Sequence, residues 1–158
     1  MVIIRRLKKE DAPFLSEIEK EIFGKNAWTE KDFKETTAIE YAYYLVAEDD
    51  GRIVGACGYR DMCGEADITN VCVVSAMRRR GIAERMLREL ISHGREAGVR
   101  AFTLEVRSQN PAAIELYKKL GFVSEGVRPG FYDDPKDDAV IMWLYPNEKE
   151  EDLPSKKV

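Results

Sequence analysis

ITNVCVVSAMRRRGIAERMLRELI, running from Ile68 to Ile91, decides the fold. Ile68, Val71, Cys72, Val73 and Val74 make an apolar run short enough to be a strand buried inside a sheet. After Gly81 the period changes. Ile82, Ala83, Met86, Leu87, Leu90 and Ile91 fall on one helical stripe, with Glu84, Arg85, Arg88 and Glu89 on the other side. Between strand and helix stands Arg78-Arg79-Arg80-Gly81-Ile82-Ala83. The first N–H groups of a helix have no intrahelical partner and carry the positive end of its dipole, so this turn is a candidate anion site.

Working outward, the charge distribution agrees. The 158-residue chain has a formal net charge of −4, with 44% hydrophobic and 34% charged residues. Between Arg78 and Arg100, however, seven arginines face only Glu84, Glu89 and Glu96. A confined basic patch on an otherwise acidic chain suits a small polyanion such as a nucleotide-bearing cofactor, and argues against a nucleic-acid partner. No apolar run reaches the roughly 20 residues of a membrane helix. Met1-Val2-Ile3-Ile4 passes directly into Arg5 and Arg6 without a signal-peptide pattern, so a cytoplasmic protein without membrane partners is expected. Cys57, Cys63 and Cys72 have no metal spacing and are expected as core or near-core thiols, with no metal.

Before the central segment, Val2–Arg5 reads as a first strand. Lys9 to Phe23 follows as a helix with Asp11 near its cap, Pro13 in its first turn, and Phe14, Leu15, Ile18 and Ile22 on one side. Thr29 caps a short helix that runs through Phe33. Tyr43–Glu48 and Ile53–Tyr59 are strands joined by Asp49-Asp50-Gly51-Arg52, a hairpin signal. Beyond the central segment, Gly98 stops the helix, and Ala101–Val106 alternates as a strand. Asn110-Pro111 caps a helix that Gly121 ends. Phe122–Val127 and Ala139–Leu144 are the last strands, with Arg128 to Asp138 expected as a long loop between them. Residues 1–146 thus form one α+β domain, and the polar stretch from 147 to 158 an acidic, disordered tail.

Several blocks occur together in one order: Trp28-Thr29, the Arg78–Ala83 turn, Leu104-Glu105-Val106-Arg107, Asn110-x-x-Ala113-Ile114-x-Leu116-Tyr117, Gly121-Phe122 and Asp138-Ala139-x-Ile141-Met142. Together they resemble the GNAT acetyltransferases, whose pyrophosphate loop reads [Q/R]-x-x-G-x-[G/A], and within them the RimI-type ribosomal-protein alanine N-acetyltransferases. The resemblance spans about residues 2 to 145. It differs at Arg78, where Gln is frequent, at Ala83, where Gly is common, and at Arg128-Pro129-Gly130-Phe131-Tyr132, which matches the family's Arg-x-x-Tyr-Tyr in part.

The resemblance implies a mixed, mostly antiparallel sheet of about seven strands with about four helices, splayed between its fourth and fifth strands, with acetyl-CoA in the cleft. It places the pantetheine arm along Val71, Cys72 and Val73, and the pyrophosphate on Arg78, Arg79, Arg80, Gly81, Ile82, Ala83 and Glu84. Asn110 fixes the cofactor from the other side. Glu105 is implied as general base and Tyr117 as general acid. From the residues alone, Glu105 reads as an ordinary solvated strand residue and Tyr117 as a core aromatic on a helical stripe. Trp28, Tyr43 and Tyr132 are candidates for an aromatic wall around the acceptor, with Asn70 a further acceptor-site candidate, and the Asp133–Asp138 run a surface attractive to basic chains.

Amine type bears on the acceptor. An α-amine with a pKa of about 7.8 is neutral roughly a tenth of the time at pH 7, whereas a lysine amine near 10.4 costs about 3.5 kcal/mol more to neutralise. A single carboxylate base suits the former. The sequence therefore points to direct acetyl transfer to a protein N-terminus, most of all the N-terminal alanine of a small-subunit ribosomal protein, by a monomer or weak homodimer. Alternatives are acetylation of a small-molecule or lysine amine, and a non-catalytic acyl-CoA-binding module.

Overall fold

In the computed structural model, which describes residues 1–146, the chain folds as one seven-stranded sheet covered on both faces. The segment expected as a tail, 147–158, lies outside the described residues. The strands are β1 (Val2–Arg6), β2 (Ala42–Asp49), β3 (Arg52–Met62), β4 (Glu65–Val73), β5 (Ala101–Arg107), β6 (Val123–Tyr132) and β7 (Asp137–Leu144), in spatial order 1-2-3-4-5-7-6. The helices are α1 (Ala12–Phe23), α2 (Glu30–Thr36), α3 (Ile82–Glu96) and α4 (Pro111–Lys119). Among the described residues, no helix is long and apolar enough to cross a membrane.

The two faces follow from strand alternation. On one, Ile82, Met86, Leu87 and Leu90 of α3 pack with Leu45, Cys57, Tyr59, Phe102, Leu104, Val106 and Met142, joined by Tyr117 of α4. On the other, Leu15 of α1 and Phe33 of α2 pack with Tyr44, Val46, Ala56 and Cys72. Asp50 and Gly51, at φ 48° and 81°, make the β2–β3 hairpin turn expected from Asp-Gly. At the amino end, the Arg5 guanidinium holds both oxygens of buried Asp11, each at 2.8 Å, and ties β1 to α1. Burial would raise the Asp11 carboxyl, but Arg5 and the Lys8 amide outweigh it and hold it below the usual carboxylate range.

Every neighbouring pair is antiparallel except β4 and β5, which are parallel and touch for only three rungs, Glu65↔Ala101, Ala66↔Phe102 and Asp67↔Thr103. Beyond these the strands part, running on to Val73 and Arg107 without pairing to each other. Shortly past the last shared rung, β4 carries a bulge. Between Gly58↔Thr69 and Ala56↔Cys72, Cys57 alone opposes both Asn70 and Val71, and Asn70 takes a left-handed φ of 59°. An extra residue on one strand bends it and increases its twist, which swings the end of β4 away from β5.

Three expectations need correcting. Phe14 is 61% exposed, and the buried face of α1 carries Glu19 in its stead. Cys63 is exposed at the β3–β4 turn, whereas Cys57 and Cys72 are buried. The segment Arg128–Tyr132 is not loop but the end of β6, which pairs Arg128↔Ala139 and Tyr132↔Asp137 around a register shift. Pro129 is tolerated because β6 is the sheet edge and the proline sits in the irregular stretch, where no ladder donor is needed.

Candidate active site

The splay has two sides. On the donor side, β4 spends one edge on β3 and, past Asp67, leaves the other facing the cleft, so the main chain of Val71 to Val73 has donors and acceptors to offer a ligand. A 3-10 turn, Ser75–Met77, then leads to Arg79 at φ 63° and Gly81 at φ 75°. Gly81 is the N-cap of α3, in a backbone conformation that side chains resist, and a β-carbon there would meet nothing within 4 Å. The glycine is thus required by backbone conformation and not by crowding at its own position.

Side chains of this turn divide in their tasks. Arg78 is bound back to the fold, its Nε donating to the Val73 carbonyl at 3.0 Å, which fixes the end of β4 against the turn. Arg79 and Arg80 are exposed. Ile82 is core, so only its amide is offered, and Ala83 is half-buried. Glu84 accepts from Lys119 of α4 at 2.8 Å and from Arg88 at 3.1 Å. Those two cations hold it below the usual carboxylate range and link α3 to α4 across the open end of the cleft. Opposite, the Asn110 Oδ1 accepts from the Ala113 amide at 3.2 Å to cap α4, leaving its amide NH2 to reach a bound molecule. A diphosphate would find helix amides, the helix dipole and exposed arginines together here.

On the acceptor side, the groups are side chains. Leu104 and Val106 point into the α3 core, so Glu105 between them projects from the opposite face, half-buried. Asp67, on the last paired rung, projects from that same face. Its carboxyl is pushed up to about 6 by burial and by the charge of Glu105, with Arg60 opposing, and its Oδ1 is buried without a hydrogen-bond partner among the described residues. Tyr132 comes from the end of β6, with the Arg107 guanidinium 4.4 Å above its ring. Burial and then Glu105 raise the Tyr132 phenol. Tyr117 is 6% exposed, edge-on to Phe122, and burial followed by the nearness of Cys57 and Tyr132 keeps its phenol protonated well above neutral pH. Such a phenol can give a proton and not take one.

The expected aromatic wall is only partly assembled. Trp28 packs against Phe33 and Tyr44, with ring centroids 5.3 and 5.6 Å away, and Arg60 over it. Tyr43, however, lies on the other face of the sheet, stacked on His93 of α3 at 3.4 Å with Arg6 above it. Strand alternation makes this unavoidable, because adjacent Tyr43 and Tyr44 cannot both face α2. The two loops that border the acceptor side do approach each other: Lys25, after α1, is 3.7 Å from Asp134 in the β6–β7 turn. Within the acidic run, Asp137 is taken up structurally by Ser108 and the amides of Gln109 and Asp138, and Asp138 by the Gly130 amide, leaving Asp133 and Asp134 exposed.

Two carboxylates escaped the sequence reading. Besides Asp67 there is Glu19, only 1% exposed, whose Oε1 accepts from the Asn70 Nδ2. Its signal was present: Glu19 stands four residues after Leu15, on the stripe that faces the sheet.

A parted parallel pair, flanked by a helix start with free amides and by a carboxylate and a protonated phenol, fits an acyl-CoA-dependent acyltransferase. The profile of the Acetyltransferase (GNAT) family matches residues 12–122, and the chain belongs to that family: it is an acetyl-CoA-dependent N-acetyltransferase. It is 36% identical over 146 residues to a protein of Bacillus subtilis (strain 168) whose name carries a provisional assignment as [ribosomal protein bS18]-alanine N-acetyltransferase, covering 92% of this chain and 96% of that one. It is 34% identical over 146 residues to the N-alpha-acetyltransferase RimI of Mycobacterium tuberculosis (strain ATCC 25618 / H37Rv), covering 89% and 90%. Among solved structures, the ribosomal-protein-S18-alanine N-acetyltransferase from Escherichia coli superposes with a TM-score of 0.85 at 30% identity, over 98% of this chain and 99% of that one.

Proposed function

We propose that this N-acetyltransferase acts on a protein N-terminal amine, most of all the N-terminal alanine of a small-subunit ribosomal protein. Its similarity over nearly the whole chain to proteins named for that reaction carries the reading. The acceptor would enter between the Phe23–Trp28 segment and the β6–β7 turn, with Trp28 and Tyr132 beside its first residue. Exposed Asp133 and Asp134 add a weak attraction for a basic chain, screened by salt.

In the chemistry proposed, the main chain at Val71 and Val73 polarises the thioester carbonyl of acetyl-CoA. Glu105 takes a proton from the ammonium, directly or through one water, and the neutral amine attacks the carbonyl carbon. The C–S bond then breaks as Tyr117 gives its proton to the departing thiolate. The second proton on the amine nitrogen, strongly acidic once the amide forms, passes back to the Tyr117 oxygen through water, and Glu105 releases its own to solvent. Cys72 takes no part: it is buried, and burial and then the Glu19 charge raise its thiol to about 12, which suits direct attack over an acetyl-cysteine route.

The test is CoA release from acetyl-CoA with an alanine-initiated ribosomal-type peptide, set against the same peptide with a blocked N-terminus and an internal lysine. Turnover with the free N-terminus alone is expected. Turnover with the blocked peptide, or only with small amines, would replace this acceptor.

A further inference from the structure

We propose that Glu19 is a positioning residue for the acetyl-CoA edge of the cleft, acting through Asn70 to hold the left-handed kink from which β4 leaves β5. The proposal rests on acetyl-CoA lying along β4, as the family's use of that substrate implies, and on the following geometry. Among the described residues Asn70 is one of five non-glycine residues with positive φ, and it is placed inside a strand where the others stand in turns or at the α3 entry. That conformation is strained for any residue with a β-carbon, though least for asparagine, and inside a strand it competes with the extended form. Both ends of its side-chain amide are fixed. The Nδ2 donates to Glu19 Oε1, and the Oδ1 accepts from the Tyr44 hydroxyl at 3.1 Å. Tyr44 is itself immobile, since its ring lies over Gly58 so closely that a β-carbon there would be 2.2 Å from it, and its hydroxyl also meets Thr69 Oγ1.

Glu19 is an expensive residue for this position. It is 1% exposed, its Oε2 has no hydrogen-bond partner among the described residues, and burial pushes its carboxyl up to about 7 against the Asn70 bond. A buried carboxylate with a single partner adds little to stability and is replaceable there by an apolar residue. What it does supply is an acceptor, aimed from α1, for the one side chain that sets the bulge. The residue after Asn70 is Val71, whose main chain begins the free edge. Rotating the Asn70 backbone toward an ordinary extended conformation would redirect the amides of Val71 to Val73 and narrow the splay.

Direct titration of acetyl-CoA into the purified full-length protein tests this without any acceptor. Glu19→Leu, which keeps the site filled but removes the acceptor oxygen, is expected to weaken acetyl-CoA about tenfold. Asn70→Gly adopts positive φ without support, so combining it with Glu19→Leu should restore affinity to within about threefold of wild type. A Glu19→Leu protein that binds like wild type, or a double variant as weak as Glu19→Leu, would overturn the proposal. Should Glu19→Leu fail to unfold cooperatively, Glu19→Gln decides: it keeps an acceptor oxygen and should stay within about threefold, and a tenfold loss would overturn the role. Failure of the wild-type protein to bind acetyl-CoA would instead strike at the family reading itself.

Discussion

The two sides of the splay are built from different materials. The donor side, from Val71 to Glu84, offers mostly main chain: a free strand edge, then a helix start opened by Gly81 at φ 75°. The acceptor side offers side chains gathered from β4, β5, β6 and α4, namely Asp67, Glu105, Tyr132 and Tyr117. Main-chain groups are the same whatever residue types carry them, so under the proposed mechanism Arg78 and Ala83 do not weaken the donor side. A side-chain constellation changes its chemistry with each substitution, so the proposed mechanism concentrates specificity and proton transfer on the acceptor side.

Substitutions should separate the two. Glu105→Gln carries the largest expected effect, lowering kcat at neutral pH by about 10²- to 10³-fold while leaving acetyl-CoA affinity within about threefold, read by steady-state rates and direct titration. Equal loss of both would make Glu105 structural and erase the contrast. On the donor side, Gly81→Ala imposes a left-handed conformation worth roughly 1–2 kcal/mol on a residue with a β-carbon. It should weaken acetyl-CoA by about tenfold with kcat at saturation little changed.

The smallest effect sharpens the acceptor side. The folded protein holds the Asp67 proton up to about pH 6, against 3.8 ordinarily, because the carboxyl is buried beside Glu105. Between these values the folded state binds the proton more tightly than the unfolded chain, so ionisation of Asp67 costs stability progressively as pH rises through that window. Asp67→Asn removes this cost. Its melting temperature relative to wild type should therefore be higher near about pH 7.5 than near about pH 4. Parallel curves would show Asp67 to be solvated.

Distance along the chain governs what was legible in the sequence. The α3 stripe, the Asp50-Gly51 hairpin and the Asn110 cap on Ala113 each lie within a few residues, and periodicity and turn chemistry reach that far. The remaining features depend on contacts between distant residues. Glu19 meets Asn70 across 51 positions, and nothing local distinguishes it from exposed Glu17 or Glu21 except its place on the Leu15 stripe. Pro129 and Gly130 punctuate like a loop, yet an edge strand absorbs both at an irregular rung. Tyr43 and Trp28 were grouped by residue type, and only the alternation of β2 shows them on opposite faces.

Amide hydrogen exchange with and without saturating acetyl-CoA tests the central claim most directly, since it reads main-chain groups one segment at a time. New protection is expected at Val71–Val73 and at Gly81–Glu84, with little change from Val123 to Tyr132. Protection concentrated at Val123–Tyr132, with the β4 edge and the start of α3 unaffected, would contradict the main-chain donor side.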